Sequence, residues 1–176
     1  MRAMTNAPQT LTLGEHRDQG KARQRWARRA LLALLGLVVL AALLNAFGQR
    51  PETSSAGTAA ARLYVYAPER VRGGLVYAAR FRIDARDEIK NAILVLDSGW
   101  AEAYTVNGLA PQPIGEGSDN GKLVFTLGHI PRGRHLTFWI SLQVNPTNVG
   151  HRAQGVRLYD GTRRLAVVER TITIFP

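Results

Sequence analysis

Cysteine is absent from the 176 residues, so no disulfide can staple any part of the chain, and thiolate metal sites and cysteine nucleophiles are excluded. Histidine is scarce. The four present are His16, His129, His135 and His151, and no two stand at the HxxxH spacing that puts two imidazoles on one metal. No serine sits in the GxSxG turn that exposes a hydrolase nucleophile, since Ser98-Gly99 and Ser141 lack the flanking glycines. Lysine is nearly missing as well, with three against twenty arginines, a bias that fits a GC-rich bacterial coding sequence. With no metal, cofactor or nucleophile pattern left, the expectation is a protein that is not an enzyme and carries no cofactor.

What the chain does have is a formal charge of +10, and its distribution argues against nucleic acid as the partner. Residues 1–29 hold seven Lys/Arg against two acids, while residues 30–176 hold sixteen against eleven. Half of the excess is thus concentrated at Arg2, Arg17, Lys21, Arg23, Arg25, Arg28 and Arg29, immediately before an uncharged run, and the rest is spread thinly. The uncharged run, ALLALLGLVVLAALLNAF at 30–47, has 18 residues and would cover about 27 Å as a helix, close to a bilayer's hydrocarbon thickness. A basic flank stays cytoplasmic. The expectation is therefore a single-pass signal-anchor in a bacterial cytoplasmic membrane, with the N-terminus cytoplasmic and the C-terminal part outside. Trp26, one turn before the run, suits the headgroup level. A cleaved secretory signal is the rival, with Thr58-Ala59-Ala60 as a candidate cleavage site, but its basic region would be unusually long and its apolar core longer than such signals need.

The chain then divides by composition. Residues 1–29 read as a disordered basic tail, and residues 48–61, GQRPETSSAGTAAA, read as a flexible tether. From 62 to 176 the pattern changes to short alternating runs separated by turn residues, the sign of antiparallel sheet. RLYVYA at 62–67 places Leu63, Val65 and Ala67 inward. LVYAARFRI at 75–83 places Tyr77, Ala79, Phe81 and Ile83 inward, with Arg80 and Arg82 outward. HLTFWISLQV at 135–144 sets Leu136, Phe138, Ile140, Leu142 and Val144 against Thr137, Trp139, Ser141 and Gln143. Further strands are expected at 92–96, 103–106, 123–127, 156–159 and 165–175, with a hairpin at Asp160-Gly161 and a bulge or bend near Val168 to Arg170. Seven or eight strands without an amphipathic helix predict an all-β fold, an immunoglobulin-like antiparallel β-sandwich.

Within 121–150, GKLVFTLGHIPRGRHLTFWISLQVNPTNVG, the pair Leu127-Gly128, the turn Pro131-Arg132-Gly133 and the long alternating strand after it resemble the second half of bacterial immunoglobulin-like surface repeats of the DUF11/CARDB-like kind. That resemblance implies a sandwich fold and an extracytoplasmic location, and it implies no activity. The asparagine-rich opening strand of those repeats is missing here, and there is one copy instead of an array.

Two charged segments remain. Asp84, Asp87 and Glu88 interleave with Arg86 and Lys90, which favours a solvated mixed-charge turn over a calcium or acid/base site. GEGSDNG at 115–121 lacks calcium-loop spacing and reads as a loop. If the inward parity above holds, Tyr64, Tyr66 and Trp139 point away from the core beside Arg80 and Arg82. Aromatics next to arginines are what contacts with proteins or anionic ligands use, though cross-strand packing can place them together for stability alone. The sequence thus predicts an envelope protein held in the lipid bilayer, whose outer sandwich binds or scaffolds other envelope proteins through Tyr64, Tyr66, Arg80, Arg82 and Trp139. The alternatives are recognition of an anionic cell-wall polymer and a secreted binding module freed by cleavage.

Overall fold

The computed structural model describes residues 14–44, 49 and 51–176. Residues 1–13, the last three residues of the expected span and Gly48 at the start of the expected tether lie outside the described residues. The chain separates into two units, one ending at Phe47 and one from Gly48 to Pro176.

The first unit is a helix, α1, Gly14–Leu43. The segment Arg23–Leu43 is long and apolar enough to cross a membrane, and none of it is buried. Leucine and alanine dominate it, both strong helix formers, which lets it run unbroken through Gly36. The helix begins well before residue 30, so the described part of the basic segment expected to be disordered is helical. Arg29 lies 5.9 Å from the Trp26 ring centre.

The second unit is a β-sandwich. Its first sheet runs in the order β1 (Pro51–Gly57), β2 (Ala61–Pro68), β4 (Val76–Ala85), β9 (His135–Val144), β6 (Tyr104–Ala110). The second runs β12 (Arg163–Val168), β11 (Val156–Asp160), β5 (Ile89–Leu96), β8 (Lys122–Ile130), β7 (Gly115–Asp119). A small third sheet, β10 (Gly150–Ala153), β13 (Thr171–Phe175), β3 (Arg70–Arg72), crosses one end; its β13–β3 pair is parallel and every other pair in the unit is antiparallel.

Period-two alternation puts one face of each long strand into the space between the sheets. Leu63, Val65, Phe81, Ile83, Phe138 and Ile140 meet Leu94, Leu96, Phe125 and Leu158 there, all buried. Ring centres of Phe125 and Phe138 are 5.2 Å apart across the gap, and Phe81 stands edge-on to Trp100 at 5.4 Å. Every described buried member of this core lies between Ala61 and Ile174.

The expected parity of β2, β4 and β9 is the observed one, Leu136 alone being only partly buried. The hairpin at Asp160-Gly161 joins β11 to β12. The bend expected near Val168 to Arg170 is a full break, after which the chain leaves the second sheet for the third. Two expectations are corrected. Within the stretch expected to be a flexible tether, PETSSAG forms β1 and pairs with β2 over seven residues; Ser, Thr and Pro at a sheet edge need only satisfy the backbone on one side. The expected loop at 115–121 is strand β7 and its turn onto β8. Asn120 and Gly121 sit there at φ 49° and 78°, the doubly left-handed pair that a two-residue hairpin demands.

Candidate aromatic and arginine face

The five residues singled out in the sequence fall on one surface, the outward side of the first sheet. Register sets them in rows. Thr53, Tyr66, Arg80, Trp139 and Ala110 are successive cross-strand partners, and Ser55, Tyr64, Arg82 and Thr137 form the next row. Arg62, Asp84 and His135 follow.

Arg80 is the centre. Its guanidinium carbon lies 3.9 Å from the Tyr66 ring centre and 5.2 Å from that of Trp139, so the cation is flanked by two π faces, whose attraction strengthens as water is excluded. Its Nε is buried and donates to nothing. Tyr64 and Tyr66 stack 6.4 Å apart and 17° from parallel, and Arg62 covers the far side of Tyr64 at 5.4 Å. Arg82 is engaged differently: its Nε donates to Asp84 Oδ1 at 2.7 Å, and that bond and charge hold its guanidinium above the usual arginine range. Structure therefore joins Tyr64, Tyr66, Arg80 and Trp139 into a stacked strip and leaves Arg82 beside it, already paired. Trp139 is 40 % exposed, the most open ring of the group.

Chemically, the strip offers flat apolar area on stiff strands with a cation between the rings. Such surfaces lose little side-chain freedom on contact and suit carboxylates or stacked groups. Two acids of the turn after β4 are paired away from the strip. Asp87 faces Arg132 at 3.9 Å and Glu88 meets His129 at 3.0 Å, which makes the 84–90 segment the mixed-charge turn expected.

Sequence reasoning missed a second polar group, inside the sandwich. Arg170 is buried in the break between β12 and β13, where its Nη2 donates to the carbonyls of Ala67 and Pro68 at 3.0 and 3.1 Å. Its charge sits 5.8 Å from the fully buried Trp100 ring. Gln154, also buried, donates from Nε2 to Tyr104 and Tyr77 hydroxyls at 3.3 and 3.4 Å, and its backbone carbonyl accepts from Trp100 Nε1 at 3.0 Å. Burial pushes the Arg170 pKa down and those of Tyr77 and Tyr104 up. The short turn carrying Trp100 can approach so closely because of Gly99, where a Cβ would lie 2.0 Å from the Ala153 carbonyl oxygen. Only a polar residue inside a strand break hinted at this cluster.

No family model matches the chain, and no curated protein matches it either. Among solved structures it is similar to a non-cellulosomal cohesin from the hyperthermophilic archaeon Archaeoglobus fulgidus, at 16% identity and TM-score 0.42 over 71% of this chain and 92% of that one. It is similar to CaCohA2 from Clostridium acetobutylicum at 14% and 0.41, over 60% and 86% of the two chains. A C-terminal domain of Wzt follows at 13% and 0.39, over 73% and 81%. Values this low carry nothing about partners.

Proposed function

We propose that this is a single-pass envelope protein whose helix α1 anchors it in the cytoplasmic membrane and whose sandwich, outside, binds another envelope protein through the Tyr64, Tyr66, Arg80 and Trp139 strip. The observation that carries the reading is the position of Arg80, half-buried between Tyr66 and Trp139 with the open indole at the surface. Aromatic and arginine side chains on a rigid support dominate protein contacts energetically. Arg82, held by Asp84, shapes the rim. The turn at 131–134, closed by the Arg134 N–H on the Pro131 carbonyl at 3.1 Å, supports keeping the likeness to bacterial immunoglobulin-like surface repeats as part of this proposal.

The test is co-purification from solubilised membranes beside thermal unfolding. Trp139→Ala is expected to leave unfolding nearly unchanged and to lose the co-purifying protein. Unchanged capture would overturn the strip's role. Reporter fusions at the two ends check the topology, where an active cytoplasmic reporter after Pro176 would reverse it. The intact mass of the extracted protein separates an anchor from a cleaved signal.

A second reading has one observation in its favour. The guanidinium of Arg80 between two rings, with Arg62 and His135 on the same face, suits an anionic cell-wall polymer. Binding that collapses between low and high salt would favour it over a protein partner.

A further inference from the structure

The sandwich has two ends of opposite character. At one, the β4–β5 turn with Arg86, Asp87 and Glu88 and the β8–β9 turn with Arg132 and Arg134 are charged, and among the described residues a single exposed large apolar side chain, Ile114 against Gly128 of β8, lies toward it. At the other, Leu75, Val76, Val149 and Phe175 are all 42–55% exposed. Backbone contacts gather these four. Phe175 O accepts from Gly73 N–H at 2.8 Å, and Val144 bonds both Gly74 and Leu75 at 2.9 Å. Gly73 lies against Pro146, and Gly150, following Val149, pairs with Ile174. Arg70 and Arg72, both exposed, pair with Thr173 and Phe175 and bring two cations to this end, where Glu52 and Glu69 also lie and Arg72 Nε donates to the Pro176 oxygen at 3.5 Å.

This is also the end at which the chain enters the sandwich. Pro51 pairs with Pro68 at the end of β2, directly before Glu69 and the third sheet. From Leu44, the last described residue after α1, to Pro51 is seven peptide steps, at most about 25 Å when fully extended. An apolar patch with arginines beside it, on so short a leash, is matched to an interface of headgroups and upper acyl chain.

Resting on the anchor reading above, we infer that the end of the sandwich formed by Leu75, Val76, Val149 and Phe175 with Arg70 and Arg72 docks onto the surface of an anionic bilayer. The outer face of the first sheet then stands roughly across the membrane plane, with its strip open to a partner alongside.

Because the chain has no cysteine, single labels can be placed cleanly on the full-length protein. Val76→Cys, Val149→Cys, Asp87→Cys and Val38→Cys variants would each carry an environment-sensitive fluorophore in vesicles of phosphatidylcholine and phosphatidylglycerol. Lipids bearing a shallow or a deep spin-label quencher provide the readout. Labels at 76 and 149 are expected to lose fluorescence to the shallow quencher while the label at 87 keeps it, and Arg70→Glu with Arg72→Glu should restore much of the loss. The label at 38 should be lost to the deep quencher. If 38 is quenched while 76 and 149 behave like 87, docking is wrong and the anchor stands; if 38 is unquenched, the anchor reading fails and docking with it. Energy transfer between copies labelled at 76, without quenching by lipid, would assign the patch to a second copy and overturn the inference.

Discussion

Arg80 and Arg170 make the same kind of contact in two parts of the sandwich. Each has its guanidinium near an indole, at 5.2 Å from Trp139 and 5.8 Å from Trp100, and each has an unpartnered Nε. Their surroundings differ. Arg170 spends Nη2 on two backbone carbonyls at the end of β2, and its tryptophan is sealed in the core with its N–H bonded to Gln154. That pair ties the corner where the chain changes sheets. Arg80 has only rings for partners, and its tryptophan is open to solvent. An arginine–aromatic pair is thus a structural tie where backbone acceptors hold the guanidinium among buried groups, and an accessible surface where rings alone flank it.

Truncations should separate the two pairs sharply. Trp100→Ala is expected to cost about 3–5 kcal/mol in urea unfolding of residues 49–176, as is Phe138→Ala on the inner face of β9. Thr137→Ala, one residue away but outward, should cost well under about 1 kcal/mol; equal losses at 137 and 138 would break the assignment of faces. Arg170→Ala should cost about 1–3 kcal/mol because two carbonyls lose their donor. Trp139→Ala should move the same midpoint by less than about 1 kcal/mol, and a loss like that of Trp100 would make both pairs structural.

The smallest effect is a pH dependence near Arg170. Burial, with a side-chain bond that the protonated Glu69 donates to Glu52, raises the Glu69 pKa above its ordinary 4.5. The folded state therefore holds this proton more tightly than the unfolded chain, and the associated stability is full below that ordinary value and lost as pH rises through the folded one. Glu69→Gln should flatten the fall in urea midpoint as pH rises above the ordinary carboxyl range of about 4, while an unaltered slope would place the titration elsewhere.

Much of the sandwich was legible because β2, β4 and β9 have one polar and one apolar face, which alternation reports directly. The same parity placed Tyr64, Tyr66, Arg80, Arg82 and Trp139 on one surface before any coordinates. The strands that escaped, β1, β3, β7 and β10, have sequences PETSSAG, RVR, GEGSD and GHRA. They are edges or short caps, largely exposed, so burial imposes no pattern on them. PETSSAG has the composition of a tether and becomes a strand because β2 offers a free edge. Arg170 and Gln154 were invisible for a different reason: a buried polar residue is justified by partners distant in sequence, Ala67 and Pro68 for one, Tyr77 and Tyr104 for the other.

Photo-crosslinking on the living cell tests the outer strip most directly. A photoreactive residue replaces Ser141, which faces outward two residues from Trp139 on β9, so the strip itself stays intact. The expected result is a discrete higher-mass adduct on illumination that disappears when Trp139→Ala is added while the protein remains folded and membrane-bound. An adduct of unchanged yield in the Trp139→Ala background, or none in the parent, would contradict the strip as the binding surface.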